Sequence, residues 1–231
     1  MRGLSFVDPE LLKRAVTRLD AEGFQVHIHA IGDRAVREAL DAFEAARGAN
    51  GPNDHRHHIA HLQVVNPEDV PRFAALDVTP NCQPYWACLE GQMLNLCVPF
   101  LGEERTGQQY PFASLLKSGA RLAFGSDWPV TTPDPLKIMQ VAITRVPDGE
   151  PGEPFLPDER LDLSQALDAA TMGTAYVNHL DRATGSIEEG KLADLVVLDR
   201  NPFDVDPMEI RDTRVILTMV DGTTVHRSDD G

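Results

Sequence analysis

Three short apolar runs, each ending in a potential metal ligand, constrain this chain more than any other feature. They are VHIHAIGD with His29, HHIAHLQ with His61, and LAFGSDWPV with Asp127. Each is strand-like, and helical patterns lie between them. Asp8 predicts an N-cap with Pro9 at the first helical position. Leu12, Ala15, Val16 and Leu19 would form that helix's apolar face, with Gly23 as a left-handed stop. A strand is predicted over 24–30. A helix follows with Asp33 as N-cap and Val36, Ala39, Leu40 and Phe43 on one side. Further strands are expected over 57–62, 78–83 and 121–126. Helices are expected from residue 66, where Pro71 would cost one backbone bond, and over 111–118, stopped by Gly119. Strands and helices alternating at this spacing imply right-handed βαβ units and a parallel sheet.

Two stretches interrupt the alternation: a long insertion over 85–110, and a loop over 146–159 rich in Pro and Gly. Asp162-x-x-Gln165 reads as a capping box, and a further helix is expected through 175–179. From Gly185 the pattern becomes all-β. Residues 194–198 and 215–220 are compact apolar strands, and Asp221-Gly222 signals a type I′ turn into a strand over 223–226. So small a sheet cannot bury a core alone.

The net charge of −15 argues against nucleic acid and anionic membrane partners, because both are held by clustered Lys and Arg. Cys82, Cys88 and Cys97 form an odd set without CxxC spacing, which predicts reduced, partly buried thiols. No apolar run of transmembrane length and no leader pattern is visible, and the expected location is the cytoplasm. At 231 residues the chain falls short of a complete (β/α)8 barrel plus a tail, since such a barrel needs roughly 250 residues.

In an α/β barrel, reacting groups stand where strands end and loops begin. His29, His61 and Asp127 take that position here. Imidazole and carboxylate ligands suit zinc, which acidifies water and polarises a carbonyl. A neighbouring carboxylate can carry the proton to a leaving amine, and Asp127 is the expected carrier. Gln83, Tyr85 and Trp128 sit at inferred strand ends as candidates for substrate contact, with ordinary packing as the alternative. His27 shares a pleat face with His29 and is assigned to interior packing, with a supporting hydrogen bond to the ligands as the alternative. His55, His57 and His58 are read as a solvated loop and strand start, and His179 and His226 as surface residues.

The ordered set HAIGDRA, HLQ, YPFASLLKSGARLAFGSDWPV and GKLADLVVLDRNPFDVDP is similar to the amidohydrolase family 3 group, the YtcJ-like metal-dependent hydrolases. The resemblance covers residues 5 to 227. It implies a partial (β/α)8 TIM barrel of about the last four strand–helix units over 1–184. The C-terminal strands of a small β-sandwich would follow over 185–231. It also implies that His29, His61 and Asp127 are the fifth-, sixth- and eighth-strand metal ligands, with Asp127 as proton shuttle. Zinc or another divalent transition metal is the implied cofactor, and an amide- or formamide-like C–N bond the implied target. The family's His-x-His pair and fourth-strand position have no counterpart here, and HLQ follows IA where relatives often carry an acidic residue. The expected partners are a small amide-like substrate and either a second copy or a complementing N-terminal half. The rival expectation is a non-catalytic truncated product or subunit.

Overall fold

Helix α1 (Pro9–Ala21) starts where Asp8 accepts hydrogen bonds from the amides of Glu10 and Leu11, with Pro9 needing no donor partner. The computed structural model describes residues 6–228 of the chain. Gly23 follows α1 at φ 84°, as its left-handed stop requires. The buried stripe of α1 differs from the predicted one. Val16 and Asp20 point inward, while Ala15 and Leu19 are exposed. An acid one turn beyond Val16 therefore occupies the place expected of an apolar residue.

Strand β1 (His27–Ala30) is shorter than predicted. Helix α2 (Asp33–Asn50) buries Val36, Ala39, Leu40 and Phe43 as expected. Gly32 is its N-cap, so Asp33 is not the cap residue. The Asp33 carboxylate instead pairs with Arg105 at 2.7 Å. Strand β2 (His58–His61) and strand β3 (Thr79–Cys82) flank helix α3 (Val70–Leu76). Pro71 lies in the first turn of α3, where its missing N–H has no helical acceptor to lose, and so carries none of the expected cost. β1 pairs with β2 and β2 with β3, all parallel, with Ile28 opposite Ile59 and His29 opposite Ala60.

The long insertion is largely helical: a π-helical turn over Met93–Cys97, then α4 (Val98–Thr106), broken at Gly102 where φ is 77°. Its end is stitched to the segment after β2. Tyr110 N–H donates to the Gln63 carbonyl at 2.9 Å, and Val65 N–H to that of Gln108 at 3.1 Å. Helix α5 (Phe112–Lys117) stops at Gly119, φ 94°.

The described chain divides into two compact units. The first holds Met1–Cys82 and Asn95–Leu122, and the second Gln83–Leu94 and Ala123–Gly231. In the first, Asp69 is almost fully buried and takes Arg37 and Arg72, and Arg72 also reaches Asp41 and Glu44, which ties α2 to α3. Buried charges of this kind hold only as paired networks.

The second unit contains strand β4 (Ala123–Phe124), two residues long against six expected. It also contains α6 (Pro135–Thr144), a helix absent from the sequence reading. Asp134 caps α6 and Pro135 opens it, a pattern that was there to be found. The predicted capping box opens α7 (Leu163–Asp168), with both reciprocal bonds between Asp162 and Gln165 formed at 2.8 and 3.0 Å. A π-helical turn leads into α8 (Thr174–Val177). The tail is an antiparallel sheet in the order β5 (Leu195–Leu198), β6 (Val215–Val220), β7 (Thr223–Arg227). Asp221 and Gly222 both have positive φ, as a type I′ turn demands. Among the described residues, no helix is long and apolar enough to cross a membrane. Replacing Asp162→Ala removes the reciprocal cap and is expected to cost about 1 kcal/mol. Urea denaturation measures this, and an unchanged midpoint would contradict it.

Candidate functional site

The parallel register places β1 and β2 side by side, but register alone does not bring their histidines together. His29 faces Ala60, and His61 faces Ala30. Pleat alternation would therefore send the His29 and His61 rings to opposite faces of the sheet. The backbone of His61 breaks the alternation: its φ is 75°, and that of Leu62 is 54°. Such left-handed conformations are uncommon for bulky residues and concentrate where a structure holds a group in place for use. The His61 ring thereby meets the His29 ring, with Nδ1 of His29 and Nε2 of His61 2.9 Å apart and the ring centres at 4.9 Å. One of these nitrogens carries a proton for the other to accept.

The turn has its own supports. Leu62 N–H donates to the Ala30 carbonyl at 2.9 Å, and Val64 N–H to that of Ile31 at 2.9 Å. The Gln63 side chain donates to the fully buried Gln109 at 2.9 Å. Gln63 was not singled out in the sequence, although it follows directly in HLQ.

His27 is exposed overall, contrary to the interior packing expected of it. Its ring lies edge-on to His29 at 4.8 Å and to His58 at 4.5 Å. Partial desolvation, then the neighbouring imidazoles His58, His29 and His61, push its pKa down to about 4. His27 thus stays neutral at neutral pH.

Asp127 lies in the second unit, three residues beyond β4, half-buried and with φ 60°. Its carbonyl accepts from Val130 N–H at 2.7 Å. Two of the three sequence-derived ligands thus occupy left-handed backbone. Trp128 beside it is 66% exposed, whereas Gln83 is buried. The hydroxyl of Tyr85 is taken up by Asp148 at 3.2 Å, and Asp148 also pairs with Arg211 at 2.6 Å. Asp148 and Arg211 carried no sequence signal, because their partners come from distant segments.

A second histidine group stands at the other end of the strands. Asp20, His55 and His57 bring potential ligand atoms within 4.8 Å of one another. Contrary to the solvated loop expected for the two histidines, His57 is buried and His55 half-buried, and both bond to Asp20. His179 and His226 are exposed, as expected.

The three cysteines are free thiols, with Cys82 and Cys88 buried. Burial pushes the Cys88 thiol up to about 12, with Glu90 adding to the shift.

The amidohydrolase family model matches residues 3–226. The chain is 36% identical over 225 residues to the protein LONG AFTER FAR-RED 3 of Arabidopsis thaliana, covering 97% of this chain and 38% of that protein. It is 29% identical to the putative amidohydrolase YtcJ of Bacillus subtilis (strain 168), covering 97% and 41%. It is 31% identical to the N-substituted formamide deformylase of Arthrobacter pascens, covering 95% and 40%. Among solved structures, an uncharacterized metal-dependent hydrolase from Pyrococcus horikoshii OT3 superposes with a TM-score of 0.75 at 30% identity, covering 90% of this chain and 40% of that one. The chain therefore spans about two fifths of the length of these relatives.

The Cys88 environment disfavours its thiolate. Iodoacetamide at pH 8 is expected to label half-buried Cys97 while sparing Cys88 and Cys82 in the native protein. Peptide mapping reads this, and preferential labelling of Cys88 would contradict it.

Proposed function

The chain belongs to the amidohydrolase family, and from that premise we propose that it is the C-terminal part of a metal-dependent hydrolase of an amide- or formamide-like C–N bond. Residues 1–184 would contribute about four strand–helix units of a (β/α)8 barrel, and 185–231 the strands of a small β-sandwich. The observation that supports the reading most is the facing pair His29 Nδ1 and His61 Nε2. Two imidazole nitrogens brought this close are the donor type that a divalent transition metal takes.

We assign His29 and His61 as ligands through those two atoms, and Asp127 as the third ligand and proton carrier. Zinc, or another divalent transition metal, would supply Lewis acidity there, polarising the amide carbonyl and acidifying the attacking water. Asp127 would hold the proton given up by water and pass it to the departing amine nitrogen. The left-handed turn at His61 keeps its ring on the His29 side of the sheet, and Gln63 holds the turn through Gln109. His27, neutral beside them, adds no positive charge against a cation. Trp128, exposed next to Asp127, would contact substrate. Gln83, buried before the Pro84–Trp86 turn, is the second candidate for substrate contact. The substrate class follows the deformylase relative: a small N-acyl or N-formyl amine. The cytoplasm remains the proposed location.

A second reading draws on the length of the relatives. Because the chain matches about two fifths of each, turnover would require the equivalent of the remaining segment, supplied by the same polypeptide or by a partner. On that reading the isolated 231 residues bind metal without catalysis.

Zinc affinity measured by chelator competition tests the site. His29→Ala or His61→Ala is expected to weaken binding by more than the roughly 10–100-fold typical of losing a supporting partner. Unchanged affinity in both variants would refute the ligand assignment. Turnover of N-formyl amines by the zinc-loaded protein, abolished in Asp127→Asn, would support catalysis by this chain. Zinc binding without turnover would favour the second reading.

A further inference from the structure

The Asp20–His55–His57 group has the composition of a zinc site, yet its hydrogen bonds point elsewhere. His57 Nδ1 accepts the Val26 amide proton at 3.0 Å. A neutral imidazole that accepts at Nδ1 carries its proton on Nε2. That Nε2 lies 2.9 Å from Asp20 Oδ1, to which it donates. A metal on Nε2 would force the ring proton onto Nδ1, directly against the Val26 N–H, so two donors would face each other in a buried place.

The carboxylate is already satisfied. Asp20 Oδ1 accepts from His57, from His55 at 2.9 Å and from Asn53 at 2.8 Å, and Oδ2 accepts from Asn50 at 2.6 Å. These bonds join the end of α1, the end of α2, the loop after it and the starts of β1 and β2. The backbone continues the knot: His58 N–H donates to the Val26 carbonyl, and Thr79 N–H to the His57 carbonyl. Phe43 of α2 stacks on the His57 ring at 4.9 Å.

We infer that Asp20, His55 and His57 form a metal-free, proton-operated clamp at the N-terminal ends of β1, β2 and β3. It closes while His57 is the neutral Nε2–H tautomer, and it releases when a second proton arrives at Nδ1. That proton displaces the Val26 amide, and only the His58 N–H to Val26 carbonyl bond is left at the point where the register of the two strands begins.

The charged surroundings agree with this assignment. His57 faces Asp20 and His55. Beside it lies a small cavity lined also by Arg47, Arg56 and Asp77. Arg56 is held by Asp54 at 2.9 Å, and Arg47 donates to the Leu76 carbonyl. Burial lowers the His57 pKa below its usual 6.5, and the bond to Asp20 only partly opposes this. Burial by itself would raise the Asp20 pKa, but the bonds from Asn50, His57, His55 and Asn53 outweigh it and hold Asp20 ionised. The sign follows from linkage. A histidine with a lowered folded pKa binds fewer protons folded than unfolded, so its stabilisation is complete above 6.5 and fades as pH falls through the lowered value.

Long-range proton–nitrogen NMR on the labelled 231-residue protein reads the tautomer directly, with and without zinc. The expected result is a His57 with protonated Nε2 and bare Nδ1 at pH 7.5, unmoved by zinc, titrating below 6.5. Protection of the Val26 amide should then fall by up to about tenfold per pH unit as pH drops from 6.5 to that midpoint, the slope of one proton, and level off below it. In Asp20→Asn the His57 midpoint should drop further, because the carboxylate that favours the imidazolium is gone. An Nδ1–H tautomer, a zinc-induced shift of His55 and His57, or a midpoint at or above 6.5 would each overturn the clamp. The wild-type spectra decide the matter even if Asp20→Asn does not fold.

Discussion

The parallel pairing of β1 with β2 is the constraint on which the candidate chemistry depends. Main-chain bonds set His29 beside Ala60, and a left-handed residue at the end of β2 turns His61 back to meet His29. Neither feature is sufficient alone. Register without the turn separates the two rings by a full pleat, and the turn without the register has no fixed partner for His61. The supports lie at both ends of the strands. Gln63 and Gln109 hold the turn, while Asp20 and His57 hold the point where pairing starts.

The two histidine groups of the first unit show how similar composition serves different purposes. At the C-terminal end, His29 Nδ1 and His61 Nε2 meet each other at 2.9 Å. At the N-terminal end, each ring of the Asp20 group is committed to a carboxylate, and His57 also to a backbone amide. A carboxylate that already accepts four hydrogen bonds suits a fastening. Counting ligand-type residues within reach does not distinguish the two; tracing each proton does.

Much of the fold was legible because it is local. The Asp8 cap, the apolar face of α2, the Asp162–Gln165 box and the Asp221-Gly222 turn depend on neighbours a few residues apart, and all four took the expected form. The order of β1, β2 and β3 with their helices followed from alternation. Long-range choices were not legible. Asp20 on the inner side of α1 matters only because His55 and His57 arrive from more than 30 residues away. Asp33 left the cap role for Arg105, 72 residues on. Of the candidate ligands, sequence marked His29, His61 and Asp127 by position, but the left-handed backbone at His61 has no signature in HLQ.

X-ray absorption at the zinc edge of the zinc-loaded protein tests the central claim, that imidazoles rather than thiolates hold the metal. The account expects only nitrogen and oxygen neighbours at about 2.0–2.2 Å, with the multiple-scattering pattern of imidazole that weakens in His29→Ala. A sulfur shell at about 2.3 Å, or an imidazole pattern unchanged in both His29→Ala and His61→Ala, would contradict it.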